Sequence, residues 1–144
     1  MKHTLGIDIG TTGARALLVS ENGNITASAN SEYPLLIPRP NWAEQEPQAW
    51  WEAAISAIHN CLEKAYSVTN QEIEVIAIGL SGQMHGSVFL DKHVEVLRPA
   101  ILWNDQRTEL QCHEITDTVG FSRLIELTYN RALAGFTAPK ILWL

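Results

Sequence analysis

The chain has 144 residues, of which 46% are hydrophobic, and its formal net charge is −6. This length fits one domain with a real core, and this composition excludes wholesale disorder. The acidic balance argues against a nucleic-acid or anionic-membrane surface, which would need clustered lysines and arginines, but it leaves a phosphate ligand open because backbone N–H groups and a metal can bind phosphate.

The opening of the chain predicts an antiparallel meander. Apolar alternation indicates strands at 4–9 and 14–20 and a weaker strand at 25–33. The first two are joined by the turn "GTTG" and the last two by "ENGN", which carries the Asn-Gly hairpin signal. Asp8 interrupts the only apolar run near the N-terminus, so we expect neither a signal peptide nor a transmembrane span.

A proline-rich loop at 34–47 separates the meander from an amphipathic helix predicted at 47–66, with Pro47 in its first turn. The apolar face of this helix is predicted to comprise Trp51, Ala54, Ile55, Ile58, Leu62 and Ala65. The continuously apolar run 74–81 is typical of a buried parallel strand.

Shorter elements are predicted in the remainder. Two strands are expected at 86–91 and 97–103, then a helix at 106–117 capped by Asp105, and a short helix around 124–127. Thr137 is expected to cap a last helix that has Pro139 in its first turn. Because the chain stops on large apolar residues, we expect a truncated protein rather than a natural end.

The two cysteines, Cys61 and Cys112, lie far apart and lack CxxC spacing. We therefore expect free thiols in a reducing cytoplasm, with no disulfide framework or zinc site.

Asp8 ends an apolar strand and is followed at once by a glycine–threonine turn. Gly10 and Gly13 allow positive φ and close backbone approach, so the turn can present N–H groups to an anion, with hydroxyls from Thr11 and Thr12. Asp8 is then placed to hold a hydrated Mg²⁺ that bridges phosphates. The alternative is a plain hairpin in which Asp8 caps its turn, and this stretch alone does not decide between them.

Polar residues also follow the apolar run 74–81, in the glycine-rich stretch "GLSGQMHG". Open α/β sheets bind ligands at such strand ends. Gln83 and His85 offer donors and acceptors for hydroxyl groups, and Met84 offers an apolar wall. The alternative is a tight turn in which His85 bonds to backbone.

A third polar group follows the strand predicted at 97–103. Asn104, Asp105 and Arg107 can bind polyol hydroxyls, with Trp103 as an apolar face. Alternatively, Asp105 caps the next helix and Arg107 pairs with Glu109 or Asp117.

Taken together, these stretches resemble the FGGY family of carbohydrate kinases, and within it the xylulose kinase branch. The resemblance runs from residue 5 to residue 144 and rests on "DIGTTGAR", the spaced motif from Trp42 to Trp51, "GLSGQMHG", "LRPAILWNDQR" and "GFTAPKILWL". It implies an α/β protein of the actin-like, RNase H-like ATPase fold, with a mixed sheet and flanking helices. Residues 1–144 would then be the first part of the family's N-terminal domain.

The resemblance also implies roles for particular residues. Asp8, Gly10, Thr11, Thr12, Gly13 and Arg15 would form the first phosphate loop, for ATP with Mg²⁺. Met84, His85, Trp103, Asn104 and Asp105 would contact the sugar, together with Gln83, which is predicted there from its hydrogen-bonding groups alone. The implied reaction is phosphorylation of D-xylulose to xylulose 5-phosphate in the cytoplasm, and a homodimer is an open alternative to a monomer.

The same resemblance places the catalytic base, the second phosphate loop and the adenosine pocket outside these 144 residues. We therefore expect the isolated chain to lack kinase activity. Two alternatives stay open: a short non-catalytic sugar-binding or interaction module, and a kinase for another ketose or polyol.

Overall fold

The computed structural model describes residues 1–144. They form six strands and four helices, in the order β1 (Lys2–Ile9), β2 (Gly13–Ser20), β3 (Ile25–Glu32), β4 (Glu44–Gln45), α1 (Pro47–Thr69), β5 (Glu74–Gly82), β6 (Ala100–Ile101), α2 (Glu109–Val119), α3 (Phe121–Thr128) and α4 (Thr137–Trp143). The chain divides into two compact units: Met1–Pro34 with Gln48–Gln83, and Leu35–Pro47 with Met84–Leu144.

The first unit is a four-stranded sheet in the order β3-β2-β1-β5, packed against α1. The strands β1, β2 and β3 form the predicted antiparallel meander, and β5 pairs with β1 in parallel, which makes the sheet mixed. At the β2–β3 turn, Gly23 has a φ of 81°, as the Asn-Gly signal predicts. The α/β class and the mixed sheet are thus confirmed.

Small residues of α1 face the sheet. Ala57, Cys61 and Ala65 are fully buried against the apolar side chains of β1 to β3. The predicted face was partly wrong, because Trp51 is 64% exposed and Ile55 is 39% exposed. Alanine at four-residue spacing lets the helix approach the sheet closely, whereas the prediction gave more weight to large side chains.

The predicted burial of β5 is wrong. Its direction is parallel as expected, but all nine of its residues are exposed, and Leu80 is 78% exposed. The strand lies at the edge of the sheet with β1 as its sole partner. A continuously apolar strand indicates that its side chains favour burial, but it does not show which other elements of this chain cover them.

In the second unit, the short strands β4 and β6 pair antiparallel, and three helices follow. Two strand predictions need correction: residues 86–91 make only isolated bridges, at Ser87 and Leu90, and the strand predicted at 97–103 shrinks to two residues. The strand β4 lies in the segment predicted as loop.

Both predicted helix caps in this unit are also wrong. Helix α2 begins at Glu109 with Thr108 as its N-cap, so Asp105 does not cap it. Helix α4 begins at Thr137 itself, with Phe136 at the N-cap position. The prediction of Pro139 in its first turn is confirmed. No helix of the structure combines the length and apolarity that crossing a membrane requires.

Candidate active-site elements

The turn between β1 and β2 is held by close backbone packing. The Gly10 N–H donates to the Gly13 carbonyl over 3.0 Å. A Cβ on Gly13 would lie 2.6 Å from the Ser31 carbonyl oxygen, so a side chain there would clash. Neither Gly10 nor Gly13 has a positive φ, which corrects one of the two reasons predicted for these glycines and leaves close approach as the operative one.

The Gly10 carbonyl accepts two side-chain hydrogen bonds. The Tyr33 hydroxyl donates over 2.5 Å and the Gln83 amide Nε2 over 2.9 Å. Burial, followed by the negative charge of Asp8, raises the pKa of Tyr33, so its hydroxyl keeps its proton and stays a donor. Gln83, predicted to bind sugar, thus supports the turn that follows Asp8.

Asp8 is exposed at the end of β1, and the Ser81 hydroxyl donates to its Oδ1. It pairs across strands with Arg15 on β2 and with Ser81 on β5. A polar cavity of about 280 Å³ opens beside it, lined in part by Asp8, Thr12 and Arg15. Carboxylate, hydroxyl and guanidinium groups on one cavity suit a phosphate that carries its own cation.

No group of three or more His, Cys, Asp or Glu side chains could hold a metal by itself. Mg²⁺, however, commonly binds through one or two carboxylates plus substrate phosphates, and keeps several waters. An exposed aspartate with one oxygen oriented by a serine fits that requirement. Asp8 is therefore a suitable ligand for Mg²⁺, and its role in holding that ion stays a prediction.

In the second unit, His85 adopts a φ of 56° and its ring stacks on Phe136 at a centroid distance of 4.5 Å. Its backbone carbonyl accepts from Lys140 Nζ over 2.8 Å. This bond comes from a lysine side chain, so it is not the bond between His85 and backbone that the alternative proposed. A cavity of about 260 Å³ lies here, lined by His85, Trp103, Gln106, Leu133, Ala134, Gly135 and Phe136. Of the six residues predicted to contact sugar, His85 and Trp103 therefore line one cavity.

Asp105 is fully buried with both oxygens engaged. Its carboxylate accepts from the Ala43 N–H over 2.7 Å and from the guanidinium of Arg107 over 2.7 and 2.9 Å. Arg107 also pairs with Glu44 at 2.7 Å, so its predicted pairing with Glu109 or Asp117 is wrong. The Arg107 guanidinium stacks 3.6 Å from the ring centroid of Trp42. A sugar contact by Asp105 stays a prediction.

The two remaining predicted sugar residues differ in their setting. Met84 is 56% exposed and does not line the cavity. The Asn104 side-chain oxygen is buried without a hydrogen-bond partner in the chain, and a sugar contact by Asn104 stays a prediction.

Sequence reasoning missed Lys140, Phe136 and Gln106. Burial lowers the pKa of Lys140 to about 8, although the negative charge of Asp105 opposes this shift. The signal for Lys140 and Phe136 is the stretch "GFTAPKILWL", which contains both residues and also carries part of the family resemblance.

The mixed sheet of the first unit, with the glycine–threonine turn beside an acidic strand end, is typical of the actin-like ATPase fold. Comparison with known proteins identifies the family. The chain belongs to the FGGY family of carbohydrate kinases, because the model of that family's N-terminal domain matches residues 3–144.

Relatives of the chain are described as xylulose kinases. It is 44% identical over 144 residues to one from Lactococcus lactis and 43% identical over 144 residues to one from Bacillus subtilis. A crystal structure of a xyloylose kinase from Brucella ovis superposes with a TM-score of 0.85 at 40% identity, covering 96% of this chain. The chain spans 28% of the length of each of these three proteins.

Proposed function

We propose that the complete protein carrying this segment transfers the γ-phosphoryl group of ATP to a hydroxyl of D-xylulose, giving xylulose 5-phosphate. The observation that carries the proposal is the cavity lined by His85 and Trp103, in a chain whose relatives are described as xylulose kinases. An imidazole and an indole face on one small cavity suit a sugar, whose hydroxyls both donate and accept beside apolar C–H groups.

The turn between Gly10 and Gly13 is assigned to the phosphates. Its position beside Asp8 and Arg15 brings a hydroxyl from Thr12 and both signs of charge to one polar cavity. Bound Mg²⁺ would neutralise phosphate charge there. Other residues of the chain hold these groups in place. Ser81 orients the Asp8 carboxylate, and Tyr33 and Gln83 fix the turn by bonding to the Gly10 carbonyl.

The proton acceptor is proposed to lie in the part of the protein beyond these residues, as the family resemblance implies. Phosphoryl transfer depends mainly on positioning and charge stabilisation. A general base contributes only about 10²–10⁴-fold to the rate. We therefore do not assign the role of general base to His85 or Asp105.

The test is a substrate panel on the complete protein, with ADP release measured at saturating MgATP. D-xylulose is expected among the best substrates, compared with other ketopentoses, glycerol and gluconate. A protein that prefers another ketose or polyol would overturn the choice of sugar. A protein that binds xylulose by calorimetry but releases no ADP would point to a binding module instead.

A further inference from the structure

Lys140 is a fully buried lysine whose ammonium has two carbonyl partners. Its Nζ donates to the His85 carbonyl over 2.8 Å and to the Gly135 carbonyl over 2.7 Å. Burying an amine is costly unless it is hydrogen-bonded, so these contacts fix where the two carbonyls can lie. Lys140 does not itself line the cavity of His85 and Trp103, but both of its partners do.

The first partner, His85, is held in an uncommon backbone conformation. A φ of 56° is uncommon for a residue other than glycine, although histidine adopts it more readily than most side chains do. The ammonium of Lys140 and the hydroxyl of Thr137, 3.5 Å away, both bond to its carbonyl. These contacts from α4 hold the His85 peptide, while Phe136 stacks on the ring.

The second partner, Gly135, is packed directly on the opposite wall. A Cβ at this position would lie only 2.4 Å from the Trp103 carbonyl oxygen, so the Gly135 backbone lies against that of Trp103. One ammonium therefore links the His85 peptide to a peptide that abuts Trp103.

We propose that Lys140 is a positioning residue, which sets the spacing between the His85 and Trp103 walls of the cavity and thereby the affinity for the acceptor sugar. The identity of the ligand rests on the proposed function. The claim that Lys140 holds His85 in place does not depend on the proposed function.

The kinetic test compares Lys140→Met with Lys64→Met in the complete protein. Lys64 is a matched control because its Nζ also donates to a backbone carbonyl, that of Ser28 over 3.3 Å, but on the exposed surface of α1. Lys140→Met is expected to raise KM for D-xylulose about tenfold while KM for MgATP changes less than about twofold. Lys64→Met is expected to change neither.

The structural test needs no substrate. Diethylpyrocarbonate modification of His85 can be followed in the tryptic peptide after Lys64, because His85 is the sole histidine between Lys64 and Lys92. His59, exposed on α1, is the internal reference. His85 is exposed to solvent, but its ring stacks on Phe136. Lys140→Met is expected to accelerate His85 modification about threefold or more, with no change at His59, because release of the His85 peptide frees the ring from this stack.

A second variant, Lys140→Gln, keeps an N–H donor and is expected to lie between wild type and Lys140→Met in both tests. Unchanged His85 reactivity in Lys140→Met would overturn the inference. Equal acceleration at His59 and His85 in both variants would also overturn it, because Lys140 would then serve global folding. A wild-type protein inactive on xylulose, with His85 accelerated as expected in Lys140→Met, would overturn the proposed function but not the positioning role.

Discussion

The Tyr33 hydroxyl lies 2.5 Å from the Gly10 carbonyl oxygen, 23 residues earlier in the chain. This bond ties the end of β3 to the turn between β1 and β2. Tyr33 belongs to the apolar cluster that includes Ala14 and Ala54, so the turn is anchored in packed structure. A turn fixed in this way would need little reorganisation to bind the phosphate proposed for it.

Gly13→Ala is expected to destabilise the protein by about 1–3 kcal/mol, because the new methyl group would overlap the Ser31 carbonyl. Gly79→Ala is the matched control, since a Cβ there meets no atom within 4 Å and the residue also lies in a strand. Urea unfolding of both variants measures the difference. Equal stability of the two would show that β3 moves aside without loss.

Asp8→Asn is expected to lower kcat by about 10²–10³-fold and leave sugar binding nearly unchanged, because an amide is a poor substitute for a carboxylate beside a metal and phosphates. Asp91→Asn is the control: Asp91 accepts from the N–H groups of His93 and Glu95 within a loop of the second unit. The measurements are kcat at saturating MgATP and the Kd for xylulose. Near-normal turnover in Asp8→Asn would mean that Asp8 only caps its turn.

His85→Ala is expected to raise KM for sugar about tenfold and to change KM for MgATP less, because its ring lines the cavity with Trp103. His59→Ala, on the exposed face of α1, should change neither constant. Equal increases in both constants for His85→Ala would indicate a folding role.

The sequence predicted local features well and long-range ones poorly. The meander of β1 to β3 follows from alternation and turn chemistry, which are local. The burial of Asp105 against Arg107 depends on the Ala43 N–H, 62 residues away, and no local pattern encodes it. The exposure of β5 could not be predicted, because an apolar composition does not show whether other elements pack on the strand.

Lys140 predicts a specific pH dependence of stability. Its pKa falls from about 10.5 in the unfolded chain to about 8 in the folded protein. Between these values the unfolded state holds a proton that the folded state has released, so the free energy of unfolding rises with pH. The rise from pH 7.5 to 9.5 is expected to be on the order of 2 kcal/mol from this residue.

Tyr33, Cys61 and Cys112 act in the opposite direction, since burial raises the pKa of all three acids. The contribution of Lys140 therefore has to be measured as a difference. Urea unfolding of wild type and Lys140→Met at both pH values cancels the effect of the three acids, and the wild type alone should gain the extra stability at high pH. The same pH slope in both proteins would show that Lys140 stays protonated throughout, with Asp105 offsetting its burial fully.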